Sequence, residues 1–220
     1  MIKVCVFDLD GTVMDTLKSI SYFVNTTMEK MALPVIDSEK IKYFIGNGRT
    51  VLIEKSLEYN NALNPENLKK AIAIYDEAYE KDPMYLTKPF DGIEEELKKI
   101  KEKGISLAVL SNKPDNVTKD IIAKTFGDGF FSMVSGQKEN VKKKPAPDAF
   151  FIIADALGAK PNECVMIGDT DVDMKTGNNA GARCLGVSWG LRTREEISEG
   201  GPEIIIDNVS ELAETVFKFN

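Results

Sequence analysis

Two carboxylates, Asp8 and Asp10, end an apolar run of Ile2, Val4, Val6 and Phe7 and are followed at once by Gly11 and Thr12. Alternate residues of an extended segment point to one side, so the pair is delivered together to the tip of whatever strand the run forms. Acids that close repel, and a structure that tolerates them binds a hard cation such as Mg²⁺ or holds one of them protonated. Ordinary turn aspartates at a strand end would look the same locally. Further groups able to take part lie far along the chain: Ser111-Asn112, Lys144, and the acids Asp169, Asp171 and Asp173. No histidine occurs anywhere. Mechanisms that need an imidazole are thereby excluded, Ser-His-Asp hydrolysis and histidine phosphorylation included, and acid and base work falls to carboxylates or lysines.

The elements that must position these groups follow from periodicity. The first run reads as a strand buried on both faces, with Gly11 turning it out of the sheet. Leu17, Ile20, Val24, Met28 and Met31 recur at helical spacing, and further helical stretches run from about Asn47 to Tyr59 and from Pro65 to Lys81. Between Asp15 and Tyr85 no strand is evident. Helix upon helix after a single strand breaks the alternation of strand and helix, so residues 15–85 are expected to form a separate helical insert, with 1–14 and 86–220 as the core domain. Prolines 83 and 89 mark the return.

Alternation then resumes. Asp91 to Glu94 has the form of a capping box before a helix carrying Ile93, Leu97 and Ile100, stopped at Gly104. Ile105–Leu110 reads as a strand with Ser111-Asn112 at its end, Pro114 opens a helix, and Phe130–Ser135 is a short strand. A helix from Pro147 to Leu157, a strand from Cys164 to Gly168 and a helix from Asp171 to Ala180 follow. Arg183–Val187 and Glu203–Ile206 are the last strands before a closing helix with Val209, Leu212, Val216 and Phe219 inward. Every candidate group falls at a strand's carboxyl end, which describes an α/β, doubly wound, mostly parallel sheet with its site at the topological switch point.

Phe7 to Thr16 resembles the first signature, DxDGTxxDT, of the haloacid dehalogenase-like (HAD) hydrolases, a superfamily composed mostly of phosphatases. Ser111-Asn112 resembles their second signature, Lys144-Pro145-Ala146-Pro147-Asp148 the third, and Gly168-Asp169-Thr170-Asp171-Val172-Asp173 the fourth. All four occur in the family's order. The resemblance implies a Rossmann-like core whose first strand is central, flanked by the second and fourth core strands, with residues 15–85 as a small helical cap. It implies Asp8 as nucleophile and Asp10 as acid/base, protonated at the outset. The implied Mg²⁺ ligands are the Asp8 carboxylate, the Asp10 backbone carbonyl and Asp169, with Asp173 holding a ligand water. Thr170 to Asp173 equally reads as a capping box for the helix that follows, and the two roles are compatible.

Ser111 and the Asn112 backbone would hold phosphoryl oxygens, or else cap the helix before Pro114. Lys144 would clamp the phosphoryl group. It stands in a Lys142-Lys143-Lys144 run that would otherwise be a solvated loop, with Lys138 as the alternative. Asp171 has no matched role and is expected to be solvated. Ile45-Gly46-Asn47-Gly48 and Val187-Ser188-Trp189-Gly190 resemble the phosphoglycolate phosphatase branch. There the N–H groups of Gly46, Asn47 and Gly48 together with Arg49 could hold a substrate carboxylate, or form a plain turn beside an exposed arginine. The expected substrate is therefore a small phosphate monoester, 2-phosphoglycolate first.

Composition agrees with an ordinary globular protein: 220 residues, 43% of them apolar. With 35 acidic against 28 basic residues and a formal charge of −7, nucleic acid and anionic membranes are poor partners. No apolar run approaches the ~20 residues that span a bilayer, and the Asp8/Asp10 pair interrupts anything resembling a signal peptide. Cys5, Cys164 and Cys184 all lie in apolar runs, an odd count that fits neither a disulfide framework nor a zinc site and agrees with a cytoplasmic protein. A monomer or weak homodimer is expected. Among alternatives, a β-phosphoglucomutase-like mutase would carry histidine five residues after Asp15, where Ile20 stands. Dehalogenases and phosphonate hydrolases lack the second aspartate. A receiver-like phosphoacceptor is about half this length and has no helical insert.

Overall fold

The computed structural model describes residues 1–219. Strand β1 (Val4–Phe7) leads through a turn into β2 (Met14–Asp15), and helices α1 (Leu17–Lys30), α2 (Ser38–Ile41), α3 (Arg49–Tyr59) and α4 (Pro65–Lys81) follow. The chain returns through β3 (Lys88–Pro89) to α5 (Ile93–Glu102), β4 (Ser106–Pro114), α6 (Asp115–Phe126), β5 (Met133–Gln137), α7 (Asp148–Ala156), β6 (Cys164–Gly168) and α8 (Asp171–Ala180). It ends with β7 (Arg183–Val187), α9 (Arg194–Ser198), β8 (Ile204–Ile206) and α10 (Leu212–Lys218).

Six strands form one parallel sheet in the order β5-β4-β1-β6-β7-β8. The first strand is central, between the second and fourth strands of the core, as the resemblance implied. Period-two alternation sorts the side chains of the inner strands. Cys5, Phe7, Leu107, Val109, Val165 and Ile167 face one cluster together with residues of α5, α6 and α10. Val4, Val6, Ala108, Leu110 and Met166 face the other, against Phe150 and Ile153 of α7. Both faces are covered, which is why these strands are apolar without a polar face. The three cysteines are free and buried within this packing. No helix among the described residues is long and apolar enough to cross a membrane.

The structure differs from the sequence reading at several instructive places. A two-residue antiparallel pair, Met14 with Pro89 and Asp15 with Lys88, joins the two crossings between sheet and helical block. So short a pair carries no periodicity. Strand β4 runs beyond Leu110 to Pro114, with four steps along β4 meeting two along β5, so Ser111, Asn112 and Lys113 bulge from the ladder. Gly136 of β5 makes room for that bulge: a Cβ there would lie 2.6 Å from the Lys113 carbonyl oxygen. Strand β5 itself begins three residues later than expected, at Met133. Pro114 stands one position before α6 rather than in its first turn. The short helices α2 and α9 were not foreseen, and the closing helix starts only at Leu212 after a 3₁₀ turn.

The expected capping box at Asp91 does not form. Gly92, left-handed at φ +83°, precedes α5 and no side chain caps it. Glu96, one turn in, instead turns inward, is buried, pairs with Lys99 and accepts the backbone N–H of Ala213 at 2.9 Å, tying α5 to α10. Replacing Glu96 by Ala strands that donor inside the protein. Urea unfolding is expected to show a loss of about 1 to 3 kcal/mol, with turnover per folded molecule unchanged.

Candidate active site

Because β1, β4 and β6 are adjacent and parallel, their carboxyl ends share one edge of the sheet. Asp8 directly follows β1, its N–H donating to the Ile167 carbonyl at 2.9 Å, and Asp169 directly follows β6. Asp173 sits on the first turn of α8. These three buried residues each offer a carboxylate oxygen, all within 4.8 Å of one another. The Lys144 ammonium, itself buried, lies 2.8 Å from Asp8 Oδ1 and 2.6 Å from Asp173 Oδ1. Asn112 puts it there: its side-chain amide donates to the Lys144 carbonyl at 3.1 Å and accepts the Lys144 N–H at 2.9 Å. Lys138 stands apart, 3.7 Å from Asp115 and far more exposed.

The cluster is braced from several sides. Thr12 Oγ1 donates to Asp169 Oδ1 at 2.8 Å, and the Leu191 N–H donates to Oδ2 at 2.7 Å. Gly11 and Gly190 close over Asp169 so tightly that a Cβ on either would fall on its carboxylate. Asp173 completes the capping box, its Oδ2 accepting Thr170 Oγ1 at 2.7 Å and the Thr170 N–H at 3.1 Å, while Oδ1 turns to Lys144. Asp171 pairs with Lys175 at 2.6 Å on the outer side of α8.

Burial, and then the neighbouring Asp173, pushes the Asp8 carboxyl well above the usual carboxylate range despite Lys144. The same two causes raise Asp169 to about 7, against donors from Leu191 and Thr12. Burial works against the Lys144 ammonium, yet Asp173 and Asp8 outweigh it and hold the group above the ordinary lysine value. Three buried carboxylates with one ammonium leave a surplus of negative charge on hard oxygen donors, a set that fits a small divalent cation of the Mg²⁺ type.

Asp10 does not join them. Its Oδ1 faces the buried Lys113 ammonium at 3.1 Å, a charge contact rather than an aligned hydrogen bond. Lys113 in turn donates to the Tyr79 hydroxyl at 3.0 Å, from α4 of the helical block, and sits 4.8 Å from that ring's centre. Burial opposes the Lys113 charge, but Asp10 and Tyr79 more than restore it. The charged neighbour of Asp10 is therefore Lys113, where the sequence suggested Asp8. Ser111 is buried, its hydroxyl accepting the Lys113 N–H at 3.2 Å. Neither Ser111 nor Asn112 caps α6, which begins at Asp115 with no side-chain cap.

The 46–49 turn is present but differently engaged. Asn112 Nδ2 donates to the Gly46 carbonyl at 2.9 Å and Lys143 Nζ to the Asn47 carbonyl at 2.8 Å, so the segment meets the core through its carbonyls. Gly48, at φ +84°, packs so close to Asn112 that a Cβ would come within 3.1 Å of its carbonyl oxygen. Arg49 is neither free nor exposed: packing of α3 on α4 brings Asp76 to its Nη1, while its buried Nε has no partner. A cavity of about 50 Å³ connects the parts, lined by Asp8, Asp10, Ser111, Lys113, Arg49 and Tyr79 among others. Sequence reasoning missed Lys113 and Tyr79 at the site. A lysine directly after a buried strand run was the available signal, since an ammonium there must find a carboxylate.

In the metal-free protein Asp8 and Asp169 keep protons at pH values where unfolded carboxyls, near 3.8, have lost them. The folded state then binds more protons than the unfolded one, so these groups make stability fall as pH rises from about 4 through 7. Urea unfolding in EDTA across that range is expected to show the decline. Asp169→Asn should flatten it by up to about 1.4 kcal/mol per pH unit, the value for one proton, and an unchanged slope would refute the assignment.

Residues 5–187 match the haloacid dehalogenase-like hydrolase family. A phosphoglycolate phosphatase of Aquifex aeolicus is 30% identical over 188 residues, 86% of this chain and 85% of the relative. Phosphoglycolate phosphatase 1 of Pseudomonas aeruginosa is 28% identical over 96% of this chain and 78% of its own length. A crystal structure from Lactobacillus delbrueckii subsp. bulgaricus, provisionally assigned as a phosphoglycolate phosphatase, superposes with a TM-score of 0.92 at 28% identity, covering 97% of this chain and 98% of that one. With the four motifs gathered on one sheet edge, the chain belongs to the haloacid dehalogenase-like hydrolase family, in its phosphoglycolate phosphatase-like branch of phosphoric monoester hydrolases.

Proposed function

We propose that the protein hydrolyses a small phosphate monoester, 2-phosphoglycolate before others, through an aspartyl-phosphate on Asp8 with Mg²⁺ as cofactor. One observation carries the reading: the buried Asp8 carboxylate opens on the cavity while sharing Lys144 with Asp173 and crowding against Asp169. In the first half-reaction a carboxylate oxygen of Asp8 attacks phosphorus in line, the ester P–O bond breaks, and Asp10 protonates the departing oxygen. In the second, Asp10 takes a proton from water as that water attacks phosphorus, and the bond to Asp8 breaks to release phosphate. Lys144 and the Ser111 hydroxyl would hold phosphoryl oxygens. Asp8, Asp169 and Asp173 would hold the Mg²⁺, with the Asp10 carbonyl added by family resemblance. Bound there, the ion would neutralise the phosphoryl oxygens and let the raised carboxyls ionise.

In this reading residues 15–85 are a cap that excludes water from the site. The small cavity supports a small leaving group, and Lys113 with the unpartnered Arg49 Nε supports one that bears its own negative charge. Ile20, buried and lining the cavity where a mutase would need an acid/base, favours hydrolysis over phosphosugar isomerisation.

Asp8→Asn is expected to fold and to lose turnover, since an amide is no nucleophile; residual activity above about 1% of the parent, some 3 kcal/mol of barrier, would remove Asp8 from its role. EDTA should abolish activity and Mg²⁺ restore it, checked beside the proton release that metal binding to raised carboxyls requires at pH 6.

Arg49→Ala should raise KM for phosphoglycolate about ten- to a hundredfold while hardly touching p-nitrophenyl phosphate, since only the former loses a charge-assisted partner. Asp76→Asn, which leaves the guanidinium in place, should not have this effect. Steady-state kinetics on both esters decide it, and equal losses on the two would return Arg49 to a structural role.

A further inference from the structure

The loop after β7 touches both the acid cluster and the helical block, and no motif accounts for its Arg192. Trp189 Nε1 donates to the Thr12 carbonyl at 3.1 Å, and the Leu191 N–H holds Asp169. One residue on, Arg192 reaches in the other direction. Its Nη1 donates to the Lys42 carbonyl at 2.7 Å and its Nη2 to the Ile45 carbonyl at 2.8 Å, with the guanidinium 5.4 Å from the centre of the Tyr43 ring. Lys42–Phe44 is a 3₁₀ turn; Lys42 is its first residue and Ile45 the extended residue that follows it, so the guanidinium brackets the turn. A planar fork of fixed N–H donors can hold both carbonyls at once, and a lysine could satisfy only part of that arrangement.

We propose that Arg192 is a positioning residue for the reaction, a latch that seats the 42–48 turn of the helical block over the acid cluster. Arg192 is not among the residues lining the cavity, so it acts through those it holds. The turn it grips continues directly into Gly46, which Asn112 binds, and into Gly48 and Arg49 at the cavity wall. Asp169 and the turn are thereby held by adjacent residues of one loop, Leu191 and Arg192. The inference rests on reading residues 15–85 as a cap that opens and closes.

Hydrogen exchange on the full chain tests the latch without any substrate. In Arg192→Ala, amides of residues 42–48 should exchange about tenfold faster or more while those of the sheet stay as protected as in the parent; Arg192→Lys should fall between. Kinetics on phosphoglycolate should show kcat/KM lower by about ten- to a hundredfold in the Ala variant, carried mainly by KM, with partial recovery in the Lys variant. Unchanged exchange in the turn, or unchanged KM, overturns the proposal. Should Arg192→Ala expose the sheet as well, Arg192→Lys decides alone, and parental exchange and KM in that folded variant would overturn it. A parent that turns over no phosphate ester would instead refute the phosphatase reading and leave the exchange result standing as the test of the latch.

Discussion

Three carboxylates buried at the end of a parallel sheet need positive charge, and among the described residues the protein brings a single ammonium into contact with two of them. Much of the surrounding structure serves that requirement. The Asn112 amide fixes the backbone on either side of Lys144, Thr12 and the Leu191 N–H orient Asp169, and the Thr170 cap occupies one oxygen of Asp173. Removing one partner of such a buried pair leaves a bare charge and costs on the order of 3 to 5 kcal/mol. The polar atoms around the cluster are therefore fixed in place, and in the proposed reaction they would meet a phosphoryl group without rearrangement.

A second charged contact stands beside the first and is kept separate from it. Asp10, two residues from Asp8, turns to Lys113, so the two acids of the opening motif face different ammonium groups. The β4 bulge makes this possible. With the ladder interrupted between Leu110 and Pro114, the backbone can present Ser111, Asn112 and Lys113 together at the sheet edge in a way that a regular strand, alternating sides, could not.

The parts of the molecule legible from sequence were those with a repeating or local signature. Strands buried on both faces were marked by unbroken apolar runs, and the long helices by a period near 3.6. Asp8, Asp169, Asp173 and Lys144 were marked by motif order, and the structure brings them together. Arg49 was placed correctly at the start of α3 but given the wrong surroundings, because Asp76 reaches it only through the packing of α3 on α4. The capping box at Asp91 failed because left-handed Gly92 precedes the helix, and Glu94 pairs with Lys98 instead. Tyr79 and Arg192 could not be read locally. Each matters through a partner at least 34 residues away or through a carbonyl that carries no sequence signal.

Tyr79 gives the helical block a part in the charge contacts of the core. Its hydroxyl completes the surroundings of Lys113 and, through that ammonium, of Asp10, although it belongs to α4 and not to the sheet. Inserts of this kind invite treatment as exchangeable modules, swapped to change what an enzyme accepts while the core keeps its chemistry. Here the boundary is not so clean. A transplanted insert lacking a hydroxyl at this place would leave a buried lysine donor unanswered, so a chimera inherits from its insert part of the electrostatic setting of Asp10.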